Sequence, residues 1–165
     1  NSSNNTIIVR SFSKDFSMSG MRLGFIFADK EIIKIISQIH ISMNMSASVF
    51  SQELGLLLYG QKDSLFREIE KQYTERLKFI SSYLNKLNNI FNYKVPQGGF
   101  FVFPKYSDKI NSVDFFKKLV VGAKVAVRPG IGFGTDGEGH VRISFAYPMD
   151  YLKKAFDRLD KFFNH

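Results

Sequence analysis

Residues 11–24, Ser-Phe-Ser-Lys-Asp-Phe-Ser-Met-Ser-Gly-Met-Arg-Leu-Gly, decide how this chain is read. They set one lysine, several hydroxyls and one arginine in a tight turn. Thr6 to Arg10 (TIIVR), just before it, is short and rich in β-branched residues, and reads as a buried strand. Arg22 to Ala28 (RLGFIFA) reads as a second strand. A lysine in a serine-rich turn is ordinarily a solvated surface residue, and Ser13 has the short polar side chain of a helix N-cap. The downstream sequence gives the turn more weight.

Three further stretches follow in order. Pro96-Gln97-Gly98-Gly99-Phe100-Phe101-Val102-Phe103-Pro104 reads on its own as a glycine-turned hairpin edge with core aromatics. Its faint likeness to an RNA-recognition motif fails, because Gly99, Phe100 and Pro104 stand where that motif needs other residue types. Arg128-Pro129-Gly130-Ile131-Gly132-Phe133-Gly134 forms a glycine-rich loop. In Val141-Arg142-Ile143-Ser144-Phe145-Ala146, strand alternation puts Val141, Ile143 and Phe145 on one face and Arg142 with Ser144 on the other.

In this order the stretches resemble the landmarks of the class I/II aminotransferases, which are fold-type I pyridoxal-phosphate enzymes. The family's lysine motif reads S-x-[SA]-K-x-x-x-x-x-G-x-R-x-G, and every fixed position is filled here. The resemblance runs from about Thr6 to the C-terminus and implies an α/β fold: the end of the large cofactor-binding domain, then an α+β C-terminal small domain. It implies a buried Lys14 as the catalytic residue, forming a Schiff base with pyridoxal 5′-phosphate and later moving a proton. Ser11, Ser13, Lys14 and Arg22 would bind the cofactor, with Ser11 and Arg22 on its phosphate. Arg142 would bind the substrate α-carboxylate through its planar fork. The products would be an amino acid and a 2-oxo acid exchanged between substrates.

The family also carries an Asp on the pyridine nitrogen, an Asn and a Tyr near the ring oxygen, and a glycine-containing phosphate turn, all upstream of the lysine. The chain opens on polar Asn1-Ser2-Ser3-Asn4-Asn5 with no initiator Met, so a trimmed or excised piece is expected, not competent by itself. The missing N-terminal half, in a homodimer, would supply the rest of the site. Two other readings stay open: a β-eliminating carbon–sulfur lyase of the same fold, and a non-catalytic module acting through its basic surface.

Composition narrows these choices. With 44% apolar and 15% aromatic residues the chain can build a core, so disorder is excluded. The absence of cysteine excludes disulfides and thiolate metal sites, and fits a reducing cytoplasm. No run suits a membrane span. The net charge of +8 is spread along helices with acidic partners at i+3 and i+4, as in REIEKQYTERLK, so nucleic acid is not an expected partner. Gly132-Phe133-Gly134-Thr135-Asp136-Gly137 matches G-x-G-x-x-G, but no helix pattern follows to hold a pyrophosphate. Asp136, Glu138 and His140 read as a solvated turn, and no metal site is expected. No nucleophile elbow or Ser-His-Asp arrangement stands out.

The remaining elements follow from periodicity. Helices are expected over residues 29–38 and 48–59, the latter stopped by Gly60, with a Met-rich loop over 40–47 between them. A long helix over 63–90 carries the stripe Leu65, Ile69, Tyr73, Leu77, Ile80, Leu84 and Leu87. Strands are expected over 93–95, 100–103, 125–128 and 140–146, and helices over 112–122 and 149–163. The domain boundary is placed inside the long helix: residues 1–75 as the end of the large domain, 76–165 as the small one.

Overall fold

The computed structural model describes residues 6–164. Its contacts gather into two units, one reaching Ile69 and one starting at Glu70, so the divide falls within a helix. The chain is a mixture of helices and antiparallel strands, in keeping with the α/β expectation.

In the first unit β1 (Ile8–Ser11) pairs antiparallel with β2 (Gly24–Phe27), Ser11 standing opposite Gly24. The single helical turn α1 (Phe12–Asp15) lies between them. β1 is exposed along its length rather than buried, with Val9 69% accessible, because its ladder has two strands only.

The second helix, α2 (Lys30–Asn44), is capped by Asp29, whose carboxylate accepts the Glu31 N–H at 3.0 Å. It absorbs most of the expected loop 40–47. The Ile32, Ile36, Ile39, Met43 spacing continues unbroken through that segment, without a Gly or Pro to end it. Ser42 satisfies itself within the helix, donating to the Gln38 carbonyl at 3.0 Å. α3 (Val49–Gly60) ends at Gln61, so Gly60 is its last residue and not a left-handed stop. α4 (Lys62–Lys86) follows at once, and its C-terminal end falls short of Ile90.

The second unit holds a continuous core. β4 (Phe101–Val102), β7 (Val141–Ser144) and β6 (Arg128–Pro129) form an antiparallel sheet in the order β4-β7-β6. A separate short ladder joins β3 (Phe91–Asn92) to β5 (Lys105–Tyr106). β3 forms ahead of the expected 93–95, and β5 has no counterpart in the sequence reading. α5 (Ser112–Lys118) starts at an Asn111 cap and passes into a π-helical turn, Leu119–Ala123. α6 (Met149–Asn164) closes the chain's described part.

Ile80, Leu84 and Leu87 meet Val102, Val141, Ile143 and Phe145 of the sheet region, with Phe115, Leu119, Leu152, Phe156 and Leu159 from the other helices. All twelve are buried. Each such side chain taken from water contributes about 1.5–3 kcal/mol, enough in sum to fix the sheet's inner face. Among the described residues no helix is long and apolar enough to cross a membrane.

Candidate functional site

The lysine turn is held from both ends. The β1–β2 register puts Ser11 opposite Gly24, and the Phe12 N–H donates to the Leu23 carbonyl at 3.1 Å. Arg22, two positions before Gly24, is thereby drawn to the same mouth as Ser11, Ser13 and Lys14. Ser11, not Ser13, is the N-cap of α1: its hydroxyl accepts the Ser13 N–H at 3.1 Å. The glycine at 24 is required by this closeness, since a Cβ there would lie 2.8 Å from the Arg10 carbonyl oxygen.

Anchors flank the lysine. Phe12 and Met18 are buried, and the Phe12 ring stacks on Phe16 at 4.9 Å between centroids. Phe16 in turn meets Tyr59 and Phe66. The buried Ser51 of α3 donates to the Met21 carbonyl at 2.9 Å. With Phe12 and Met18 turned inward, Lys14 between them is exposed, contrary to the burial that the resemblance implies.

Arg22 is exposed and has φ 51°, and Ser17 has φ 56°. Both sit in the left-handed region that ordinary residues rarely adopt, a strain found most often at functional sites. The Arg22 guanidinium donates to the Ser19 carbonyl at 3.1 Å.

Arg142 belongs to the second unit. Val141, Ile143 and Phe145 point into the core, while Arg142 and Ser144 are half-buried on the other face, as alternation requires. The Arg142 guanidinium lies 4.1 Å from the Phe101 ring centroid and 4.6 Å from that of Phe133. Such contacts are worth about 0.5–2 kcal/mol in cation–π attraction.

Across the ladder Arg142 faces Arg128, a like-charge pair that costs roughly 0.2–1 kcal/mol unless an anion offsets it. Among the described residues neither arginine ion-pairs with a carboxylate. Both line a groove of ≈ 1000 Å³ that carries Lys124, Lys154 and Arg158 as well, and no acidic side chain. The arrangement suits a small carboxylate that must be bound flat and oriented.

Asp136 and Glu138 are exposed, as a solvated turn requires, but Glu138 also makes contacts that this reading did not include. One carboxylate oxygen accepts the Ser112 N–H at 2.6 Å and the Gly139 N–H at 3.0 Å, with the Tyr106 hydroxyl at 3.4 Å. The other accepts the Ser112 hydroxyl at 3.0 Å. The Gly139 amide, followed by the Ser112 groups, holds the Glu138 carboxyl below its ordinary range, against a smaller opposing effect of desolvation. Burial, then the Glu138 charge, pushes the Tyr106 phenol up to about 12.

Sequence reasoning missed these contacts because Glu138 and Ser112 lie far apart in the chain. The only local hint was a carboxylate beside glycines. Among the described residues no cluster of metal-ligating side chains occurs. The G-x-G-x-x-G stretch is followed by strand β7 and not by a helix, so it is no dinucleotide site.

The chain has relatives over nearly its whole length. It is 38% identical over 160 residues to the aspartate aminotransferase of Pyrococcus horikoshii, an alignment covering 95% of this chain and 41% of that protein. It is 39% identical to the probable N-acetyl-LL-diaminopimelate aminotransferase of Bacillus subtilis, covering 95% of this chain and 40% of that one.

Among solved structures, the aromatic aminotransferase from Pyrococcus horikoshii matches with a TM-score of 0.87 at 33% identity, over 94% of this chain and 42% of the other. A double mutant of the Thermus thermophilus aspartate aminotransferase also gives 0.87, at 26% identity, over 96% and 41% of the two chains. The chain thus spans about two fifths of the length of the relatives it matches. The profile described as "Aminotransferase class I and II" matches residues 1–159, and the chain belongs to that family.

Proposed function

We propose that this chain carries the lysine and arginine part of a pyridoxal-phosphate-dependent aminotransferase site, exchanging an amino group between an amino acid and a 2-oxo acid. One observation carries the reading: the complete S-x-S-K-x-x-x-x-x-G-x-R-x-G run folds so that the Ser11–Gly24 register gathers Ser11, Ser13, Lys14 and Arg22 at one hairpin mouth.

The donor set fits the cofactor. The Ser11 hydroxyl accepts from Ser13 N–H and so keeps its own proton for an anion oxygen. Arg22 spends one of its five N–H donors on Ser19 and keeps the others for phosphate. The chemistry supplied by the bound group is an aldehyde for amines to condense with and a ring that takes up the electron pair left at Cα.

Lys14 Nζ removes the proton from the substrate Cα and holds it for return. Ser11 and Arg22 would hold the cofactor phosphate, with Ser13 beside them, while Arg142 would take the α-carboxylate in two parallel hydrogen bonds and so set the direction of the Cα–H bond. We assign the stretch ending near residue 75 to the large domain and the rest to the small domain. Exposed apolar side chains in the first unit, such as Val9, Phe27, Phe50 and Leu56, favour cover by further chain and by a second subunit in a cytoplasmic homodimer.

The test is amino transfer to a 2-oxo acid by the full-length protein that contains this sequence. Lys14→Ala is expected to abolish it, and Arg142→Lys to raise KM roughly tenfold by replacing a planar fork with a point charge. Release of ammonia and pyruvate from cysteine conjugates, without amino transfer, would favour the lyase chemistry instead.

A further inference from the structure

The loop over residues 130–139 sits against Arg142 but has little structure of its own. It consists of two 3-10 turns, Gly130–Phe133 and Thr135–Gly137, with Gly134 at φ 111° and Gly139 at φ 79°. Short 3-10 turns joined by glycines do not hold themselves in one place. Besides the backbone hydrogen bond from the Gly130 N–H to the His140 carbonyl at 2.9 Å, two contacts supply the order. Gly130 and Gly137 pack backbone to backbone, so closely that a Cβ on either would meet the other. The second contact is Ser112, which is wholly buried at the start of α5.

The Ser112 hydroxyl accepts the Ile131 N–H at 3.2 Å and donates to the Glu138 carboxylate at 3.0 Å. One side chain therefore ties the beginning of the loop to its end. Glu138 reinforces the tie through the Ser112 and Gly139 amides, while the Tyr106 hydroxyl, which donates to the Ile110 carbonyl at 2.8 Å, stands 3.4 Å away. Phe133, two residues beyond Ile131, packs on Arg142 and meets the Phe103 ring edge-on at 5.7 Å. Phe103 in turn stacks on His140 at 5.1 Å. The Glu138 carboxylate is thereby committed to α5.

We propose that Glu138 and Ser112 are positioning residues for Arg142, holding the loop so that Phe133 packs on the guanidinium and leaves its N–H edge to the incoming carboxylate. This deepens the reading of Arg142 as the substrate-carboxylate ligand and rests on it. With Phe101 and Phe133 both packed on it, the guanidinium is fixed before the ligand arrives, so less side-chain freedom is lost on binding. Loosening the loop weakens carboxylate binding without touching the lysine.

The experiment compares Glu138→Ala, Glu138→Gln and Phe133→Leu in the full-length holoenzyme. Readouts are KM for the amino acid, kcat at saturation, inhibition by a simple dicarboxylate, and thermal midpoint. Glu138→Ala is expected to raise KM and weaken inhibition about tenfold at nearly unchanged kcat, with Glu138→Gln milder because it keeps one accepting oxygen.

Phe133→Leu, at a half-exposed side chain outside the lock, is expected to reproduce the KM effect with the thermal midpoint held. The double variant is expected to add little, since both changes remove one arrangement. A lowered midpoint with KM changed less than about twofold, or additive effects in the double variant, would overturn the proposal. Unchanged KM in Arg142→Lys would instead remove the reading of Arg142 on which it stands.

Discussion

Single side chains carry the proposed roles, and they are presented in two ways. Lys14 stands out from a short turn because the buried Phe12 and Met18 on either side face inward. Arg142 stands on a strand because the residues flanking it, Val141 and Ile143, are buried. Gly24 shows how closely the lysine turn is drawn. In Gly24→Ala the new methyl would press on the Arg10 carbonyl, which as backbone cannot step aside cheaply. The expected cost is about 1–3 kcal/mol, with β1 pushed from β2 and Ser11 displaced. Thermal unfolding together with cofactor affinity measures both effects, and an unchanged affinity would show that the ladder does not set the phosphate ligands.

Elements differ in how far the sequence revealed them. The stripe of α4 and the alternation of β7 were legible because burial on one face repeats along the segment itself. The extension of α2 through His40 to Asn44 was obscured by a run of polar and Met residues that read as a loop, although no helix breaker interrupts it. β5 and the role of Glu138 were hidden, since each depends on a partner remote in sequence: Phe91 and Asn92 for β5, Ser112 for Glu138. The lysine motif was legible as a run of residues, but the exposure of Lys14 was not, because which face of α1 is covered depends on α3.

The Tyr106–Glu138–Ser112 contacts also give a pH dependence. Tyr106 is raised from 10.0 to about 12, so its contribution to stability is full below pH 10 and is lost as the pH climbs through about 12. Glu138 is shifted the other way from 4.5, so its contribution is present above that value and fades as the pH falls below it. Thermal midpoints across pH are expected to drop at both ends. In Glu138→Gln the acid-side drop is expected to shrink, and an identical acid limb would contradict the assignment.

At the scale of the molecule the two units are unlike. The second, from Glu70 onward, has a continuous buried core drawn from three helices and a sheet. The first exposes large apolar side chains along β1, β2 and α3 and buries few. The lysine turn belongs to the first unit, whose apolar surface is the more open of the two. Reductive trapping decides whether Lys14 is the lysine that holds the cofactor. The full-length protein is incubated with pyridoxal phosphate, reduced with borohydride and mapped by peptide. A reduced adduct concentrated on Lys14, and lost in Lys14→Ala, is the expected result. Adducts spread evenly over surface lysines, indifferent to that substitution, would contradict it.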